Sequence, residues 1–329
     1  MKVCKLATAI AIATGASSIF AVSAAQAADN YPNRPVRVIV PFAPGGSTDI
    51  ISRLVTQRMG EELGQPMVVE NKGGAGGAIG AAEGARAKPD GYVLSIATVS
   101  TMAVNPACRP NDLPYDPIKD FKPVTNFANT ANVVSINPKF PANNFKEFLE
   151  ELKKNPGKYS YGSSGTCSVL HLMGESFKMA TGTDIVHVPY KGSGPALTDA
   201  VGGQVELLFD NLPSSMPQIQ AGKLKAMAVA WPETIESLKD VPNFEQAGFP
   251  ILNQPVWYGL LAPADTPDEI VKKLRDAAVV ALKDPRVIKV LAEQGSAASG
   301  NTPEEFAKEI QTQYDWARDV VAKQNIKLN

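Results

Sequence analysis

Strand-like runs that end in glycine-rich loops recur along the chain, and this pattern constrains the fold more than any other feature. The β-branched run Val36–Val40 leads into the loop PFAPGGSTD at 41–49, and apolar residues with helical spacing follow from Ser47 to about Leu63. Two more predicted strands, Met67–Asn71 and Tyr92–Ala97, flank a second glycine-rich loop and an alanine-rich helix. This strand–helix–strand order predicts a parallel sheet with crossover helices.

A second set of strands and helices follows a proline-rich stretch at 101–130, which we predict to be irregular. The predicted strands of this set are Val133–Ile136, Tyr159–Tyr161, Ile185–Pro189, Val205–Phe209 and Leu224–Val229, with helices at Phe145–Lys154, Ser168–Ala180 and Pro195–Val201. The predicted elements after residue 252 are a strand at Val256–Ala262 and helices at 267–283, 285–294 and 303–323. We therefore predict an α/β protein with two lobes, one of residues 28–128 with 253–329 and one of residues 129–252.

The first 27 residues have the pattern of a secretory signal peptide. Lys2 and Lys5 precede an uncharged stretch, and Ala25-Gln26-Ala27 is a small-residue cleavage pattern. A membrane anchor is the alternative, because the stretch is long enough to span a bilayer, but Ala, Ser, Thr and Gly dilute it. We expect cleavage after Ala27 and a mature protein that is soluble in the bacterial periplasm.

Composition excludes several classes of function. The net charge is −1 with no block of Lys and Arg, which argues against a nucleic-acid partner. Only 2 His and 3 Cys are present, without the spacing of metal ligands, so we predict no metal. The loop at 71–77 matches neither a P-loop nor a clean dinucleotide fingerprint, so we predict no cofactor.

Five loops of one kind follow predicted strands. They are the first loop (41–49), the second (71–77), the third (161–168), the fourth (189–194) and the fifth (209–213). Gly45 and Gly46 permit close backbone approach, and free N–H groups at the following helix start favour an anion. An ordinary capped turn is the alternative for any one loop. Together, at the carboxyl ends of strands, they predict a cleft rich in hydrogen-bond donors.

Several stretches closely resemble one family of exported proteins. They include YPNRPVRVIVPFAPGGSTDIISRLV, VVENKGGAGGAIGAAEGARAKPDGY, YGSSGTCSVLHLMGESF and VPYKGSGPALTDAVGGQVELLFDN. They resemble the periplasmic solute-binding proteins of tripartite tricarboxylate transporters, the TctC-like or Bug proteins. The resemblance implies a type II Venus-flytrap fold in which two strands cross between the lobes as a hinge. It also implies a monomer that holds a carboxylated solute between its lobes and docks on a membrane transporter or a sensor.

The same resemblance implies a set of solute contacts. Those of the first lobe are Phe42, Pro44, Gly45, Gly46, Ser47, Asp49, Ala75 and Gly76, and those of the second are Ser163, Ser164, Gly165, Thr166, Ser168 and Asp210. A carboxylate beside a carboxylate is repulsive unless the solute carries an ammonium or the acid is turned away. For Asp49 and Asp210 we favour a role in holding their loops. Lys72 and Lys191 are candidate counter-charges, and the solute class spans di- and tricarboxylates, aromatic acids and acidic amino acids.

Cys108 and Cys167 depart from the family pattern, which usually has neither cysteine. A disulfide between them requires Cα atoms about 4.4–6.8 Å apart, which spacing alone does not determine. If it forms, it ties the lobes together at the cleft and restricts opening.

An exported hydrolase or thiol enzyme is the alternative function. Ser163 or Ser164 would be the nucleophile with His171 as base, or Cys167 would act as a thiolate at a helix start. However, the third loop is not G-x-S-x-G, and no third group that orients a base is evident. We therefore expect a binding protein and not an enzyme.

Overall fold

The structure, a computed structural model, describes residues 30–323. The predicted signal peptide and its cleavage after Ala27 lie outside these residues. Within residues 30–323, none of the helices is both long enough and apolar enough to cross a bilayer.

Eleven strands and ten helices make up the described chain. The strands are β1 (Val36–Val40), β2 (Met67–Asn71), β3 (Val93–Thr98), β4 (Phe121–Thr130), β5 (Asn132–Ile136), β6 (Ser160–Ser163), β7 (Val186–Pro189), β8 (Leu207–Asn211), β9 (Lys225–Ala230), β10 (Val256–Pro263) and β11 (Ser296–Ala298). The helices are α1 (Ser47–Leu63), α2 (Ala78–Ala85), α3 (Asn105–Cys108), α4 (Phe145–Lys154), α5 (Val169–Thr181), α6 (Ser193–Gly202), α7 (Leu212–Gln220), α8 (Asp268–Lys283), α9 (Pro285–Glu293) and α10 (Pro303–Lys323).

The strands form two separate sheets. The first has the order β11-β4-β10-β3-β1-β2, and the second has the order β7-β6-β8-β5-β9. In each sheet three neighbouring strands are parallel, β2-β1-β3 in one and β7-β6-β8 in the other, and the remaining pairings are antiparallel. The predicted α/β fold with two lobes is confirmed, and each lobe has its own apolar core.

The chain passes between the sheets at two places. β4 in the first sheet and β5 in the second are separated only by Ala131, and residues 231–255 connect β9 back to β10. Near these crossings Asn132 Nδ2 donates to the carbonyl oxygen of Gln254 at 2.8 Å. The predicted lobe boundaries at 128/129 and 252/253 lie close to these crossings and stay a prediction.

The expectation that 101–130 is irregular is wrong at its start, where residues 100–108 are helical, and in its second half. β4 occupies ten residues there, and Val124, Phe127 and Ala128 are fully buried. Pro123 within the strand and several polar residues hide its pattern, because proline cannot donate to a strand ladder. Further unpredicted elements are β11 and α7, and α7 contains Pro213 at its start and Pro217 in its interior.

Candidate functional site

The carboxyl ends of the parallel strands in the two sheets face each other across a narrow cleft. Its lining residues are Phe42, Gly46, Thr48, Thr98, Val99, Ser100, Ser164, Val169, Ser193, Asn211, Val256, Trp257 and Tyr258. The cavity left between them measures about 10 Å³, which is room for about one water molecule. The conformation is therefore closed.

The polar groups that line the cleft are neutral, and they alternate with apolar side chains such as Phe42, Val169 and Trp257. Five of its lining residues, Thr48, Thr98, Ser100, Ser164 and Ser193, carry hydroxyls, and none of the described lining residues is Lys, Arg or His. Tyr258 adds a phenol that is 3% exposed and makes no hydrogen bond of ordinary length within the described chain, although the Ser47 and Thr48 hydroxyls and the Asp210 carboxyl lie close enough to interact with it. An anion in this cleft would be held by hydroxyls and backbone N–H groups, not by a cationic side chain.

The first loop is held in shape by Asp49. The Asp49 carboxylate accepts the Gly45 N–H at 3.1 Å, the Asn71 side-chain amide at 3.0 Å and Arg53 Nε at 2.8 Å. Gly45 adopts a φ of +82°, a conformation that favours glycine. These contacts support the loop-holding role that we favoured for Asp49.

The third loop is held by buried neutral groups. Ser163 Oγ lies 2.6 Å from His187 Nε2, and it also accepts the Gly165 N–H at 3.1 Å. The rings of His171 and His187 stack with centroids 3.8 Å apart. Ser168 caps α5 by accepting the His171 N–H at 3.2 Å. Burial lowers the pKa of His171 to about 4 and that of His187 to about 3, so both rings are neutral at pH 7.

These contacts bear on the alternative function, an exported hydrolase or thiol enzyme. The histidine beside a serine hydroxyl is His187, not His171, and its serine partner is Ser163, which is fully buried and does not line the cleft. Cys167 is joined to Cys108 in a disulfide, with Cα atoms 6.1 Å apart. A thiolate at Cys167 would therefore require prior reduction of that bond.

The fifth loop holds Asp210, which is fully buried. Its Oδ2 accepts the hydroxyls of Ser214 at 2.7 Å and Ser215 at 2.6 Å. Burial raises the pKa of this carboxyl, and the serine hydroxyls oppose that shift. Asp210 thus ties the start of α7 to β8, in line with a loop-holding role.

Several contacts join the lobes directly. Ser47 Oγ lies 2.9 Å from the Asn211 carbonyl oxygen and accepts the Ser214 N–H at 2.9 Å. The Ala43 N–H donates to the Lys191 carbonyl oxygen at 3.0 Å. The closed form is therefore stabilised by polar contacts between the first loop and the loops opposite.

Glycines make this close approach possible. A Cβ at Gly194 would lie 2.1 Å from the Pro44 carbonyl oxygen, and one at Gly76 would lie 2.5 Å from the Thr166 carbonyl oxygen. Both distances are shorter than real Cβ contacts permit. The glycine-rich loops thus form much of the surface on which the lobes meet.

The predicted site residues fall into three groups. The cleft is lined by Phe42, Gly46 and Ser164. An open groove at its mouth is lined by Ala75, Gly76, Gly165 and Thr166. Neither is lined by the remaining residues, which are Pro44, Gly45, Ser47, Asp49, Ser163, Ser168 and Asp210. Of the candidate counter-charges, Lys191 lies in the mouth groove, whereas Lys72 pairs with Glu70 at 2.6 Å. Which of these residues touch a solute stays a prediction.

Sequence reasoning missed several cleft residues. Ser193 and Asn211 belong to the fourth and fifth loops, which were recognised as donors without these side chains being singled out. Tyr258 lies in the predicted strand Val256–Ala262, where nothing in the apolar run marks it as a cleft residue. Within the described residues, no group of three or more His, Cys, Asp or Glu is placed to hold a metal ion.

Comparison with known proteins agrees with this geometry. The model of the tripartite tricarboxylate transporter family receptor matches residues 51–326. Protein BugT of Bordetella pertussis is 34% identical over 307 residues, which cover 92% of this chain and 94% of BugT.

Two solved structures are also similar. A protein described as a periplasmic transporter is 83% identical with a TM-score of 0.90, over 91% of this chain and 100% of that one. MatC from Rhodopseudomonas palustris, solved with bound malate, is 34% identical with a TM-score of 0.84, over 88% of this chain and 100% of MatC. The chain belongs to the TctC family of tripartite tricarboxylate transporter receptors, which includes the Bug proteins.

Proposed function

We propose that this protein is an exported, periplasmic receptor that captures a small carboxylated solute between its lobes and delivers it to a membrane transporter. The observation that carries the proposal is the cleft itself. It lies at the carboxyl ends of parallel strands from both sheets, and hydroxyl and amide groups line it. Family membership and the malate bound to MatC support a carboxylate as the solute.

The proposed mechanism is closure around the solute. Open and closed forms interconvert by bending where the chain crosses between the sheets, at Ala131 and at residues 231–255. The solute stabilises the closed form by bridging groups such as Thr48 on one lobe and Ser164 and Ser193 on the other. The closed surface then docks on the transporter as a monomer.

The buried phenol of Tyr258 supports an anionic solute. This buried hydroxyl makes no hydrogen bond of ordinary length within the described chain, and a carboxylate oxygen in the cleft would accept one. Ser164 and Ser193 would supply further hydroxyl donors from the opposite lobe. We assign no catalytic step to these groups.

A thermal-shift screen of the mature protein against carboxylic acids and acidic amino acids tests the proposal. A solute that binds only the folded state stabilises it by about 2.7 kcal/mol at a hundredfold excess over Kd. We expect a rise of several degrees with one acid, and a smaller rise for Ser164→Ala.

Turnover of an ester or thioester that depends on Ser164 would overturn the proposal. So would the lack of any shift, if native mass spectrometry also finds no solute retained through purification.

A further inference from the structure

The groove at the mouth of the cleft lies over the seam where the two lobes touch. Its volume is about 560 Å³, and it shares no lining residue with the cleft. The seam is tight here: the Ala43 N–H donates to the Lys191 carbonyl oxygen at 3.0 Å, and a Cβ at Gly76 would lie 2.5 Å from the Thr166 carbonyl oxygen. The mouth groove is therefore a cavity separate from the cleft.

Each lobe contributes one cationic side chain to the mouth groove. Arg109 follows α3 of the first lobe, and Lys191 lies in the fourth loop, which belongs to the second lobe. None of the described lining residues is Asp or Glu. Within residues 30–323, neither of the two cations forms an ion pair with a carboxylate. The closed form thus brings two positive charges together without a carboxylate to offset them.

The groups in the mouth groove are those that bind oxyanions. A guanidinium such as that of Arg109 binds carboxylate or phosphate through paired hydrogen bonds, and the Lys191 ammonium adds a point charge. Thr166, which is partly exposed, adds a hydroxyl. The neighbouring acid Asp199 accepts the Tyr190 hydroxyl at 2.7 Å and does not line the groove.

The placement of the two cations links an anion to closure. The Debye length is about 8 Å at physiological ionic strength, so charges that share a groove of this size repel each other. Closure with an empty groove therefore costs free energy, whereas an oxyanion between the two side chains attracts both. When the lobes part, Arg109 and Lys191 separate, and neither lobe alone retains the complete set of groups.

We propose that the mouth groove is a second anion site, complete only in the closed form, in which Arg109 and Lys191 hold one oxyanion from opposite lobes. The oxyanion is either a free anion or a second carboxylate of the solute, and in both cases it stabilises the closed form. The inference rests on closure of the lobes, which is part of the proposed function, but not on which solute fills the cleft.

An NMR titration with sodium sulfate tests the proposal. The mature, dialysed protein is titrated at an ionic strength kept constant with sodium chloride, and the Gly165 and Thr166 amides are followed. We expect saturable shifts in the wild type and an affinity for sulfate at least fivefold lower in Arg109→Gln and in Lys191→Gln. The double variant should bind little more weakly than either single variant, because each lobe supplies half of one site.

The matched control is Lys146→Gln/Lys289→Gln. It removes the same charge as the double variant, from exposed lysines in α4 and α9 that line neither the cleft nor the mouth groove. We expect it to bind sulfate as the wild type does. Urea unfolding confirms that each variant is folded.

Calorimetric titration of the acid found in the screen, with and without sulfate, identifies the source of the oxyanion. If a second carboxylate of the solute fills the mouth groove, sulfate competes with it and lowers the affinity for the acid. If a free anion fills the groove, sulfate raises that affinity. Either effect should disappear in Arg109→Gln/Lys191→Gln.

Four results would overturn the proposal. They are a wild type without saturable sulfate shifts, an affinity for sulfate that neither single substitution lowers, a control variant that loses as much affinity as the double variant, and an affinity for the acid that sulfate leaves unchanged. A negative solute screen leaves the sulfate titration readable. Conversely, loss of the sulfate site would leave capture of a solute in the cleft intact.

Discussion

The first and third loops share a sequence pattern but are held by opposite physical means. Each joins a strand to a helix through glycines, at the carboxyl edge of its sheet. A carboxylate with charged and amide partners, centred on Asp49, fixes the first loop. Buried neutral rings, hydroxyls and a disulfide fix the third. The stability of two loops with similar sequences can thus depend differently on pH and on redox state.

The largest predicted effect is the loss of stability in acid, which arises from the buried histidines that hold the third loop. The unfolded imidazoles take up protons near pH 6.5, whereas folded His171 does so only near pH 4. The folded state therefore loses stability as the pH falls from about 6.5 towards 4, by about 3 kcal/mol for His171. Urea unfolding between pH 7 and 4 measures this loss.

The control for this prediction is the double variant His171→Gln/His187→Gln. Glutamine keeps hydrogen-bonding groups but does not titrate, so the pH dependence in this window should be weaker in the variant. Equal slopes for the wild type and the variant would contradict the histidine account.

Removing the Asp49 carboxylate should destabilise the first loop, with a smaller loss of unfolding free energy. Asp49→Ala removes the side-chain acceptor of the Gly45 N–H and one of the two acceptors of the Asn71 amide, which we expect to cost about 2 kcal/mol of unfolding free energy. Asp49→Asn keeps one acceptor oxygen and should lose less. Urea unfolding at pH 7 measures both, and an unchanged midpoint for Asp49→Ala would show that the loop does not depend on this group.

A third prediction concerns the contact of the first loop with α6. Gly194→Ala places a Cβ against the Pro44 carbonyl oxygen of the opposite lobe, so we expect solute affinity to fall at least tenfold, about 1.4 kcal/mol. Each lobe should still fold, because all three nearest atoms to this Cβ belong to the other lobe. Calorimetric titration with the acid found in the screen measures the loss.

Gly202→Ala is the matched control, since it lies in the same helix and its Cβ would meet nothing within 4 Å. Equal affinities for the two variants would argue against a closed form like the one described.

The smallest effect is expected at the edge of the Asp49 cluster. Arg53 pairs with Asp49 at 2.8 Å, but its side chain is 51% exposed. Solvent screens such a pair, so Arg53→Gln should cost less than about 1 kcal/mol in urea unfolding. A loss as large as that of Asp49→Ala would mean that charge pairing, and not the backbone contact, holds the loop.

Local pattern was sufficient for much of the fold. The β-branched runs and the glycine-rich loops predicted the parallel units and the cleft edge correctly. β4 and α7 were missed because prolines interrupt their patterns, and tertiary packing overrides those breaks.

The site was harder to predict because it depends on how two lobes meet. Tyr258 faces the cleft from the middle of an apolar strand, and Ser163 pairs with His187, 24 positions along the chain. No spacing of residues in the sequence predicts that Tyr258 reaches the cleft or that Ser163 contacts His187. The three predicted residues that line the cleft, Phe42, Gly46 and Ser164, lie in loops whose glycines marked them.

Calorimetric titration of wild type and Tyr258→Phe with the acid found in the screen tests the central claim most directly. The substitution removes a buried hydroxyl that makes no hydrogen bond of ordinary length within the described chain, so stability should fall little. We predict one solute per chain, and an affinity at least fivefold lower for the variant. Equal affinity and stoichiometry for both proteins would place the solute outside this cleft and contradict the account.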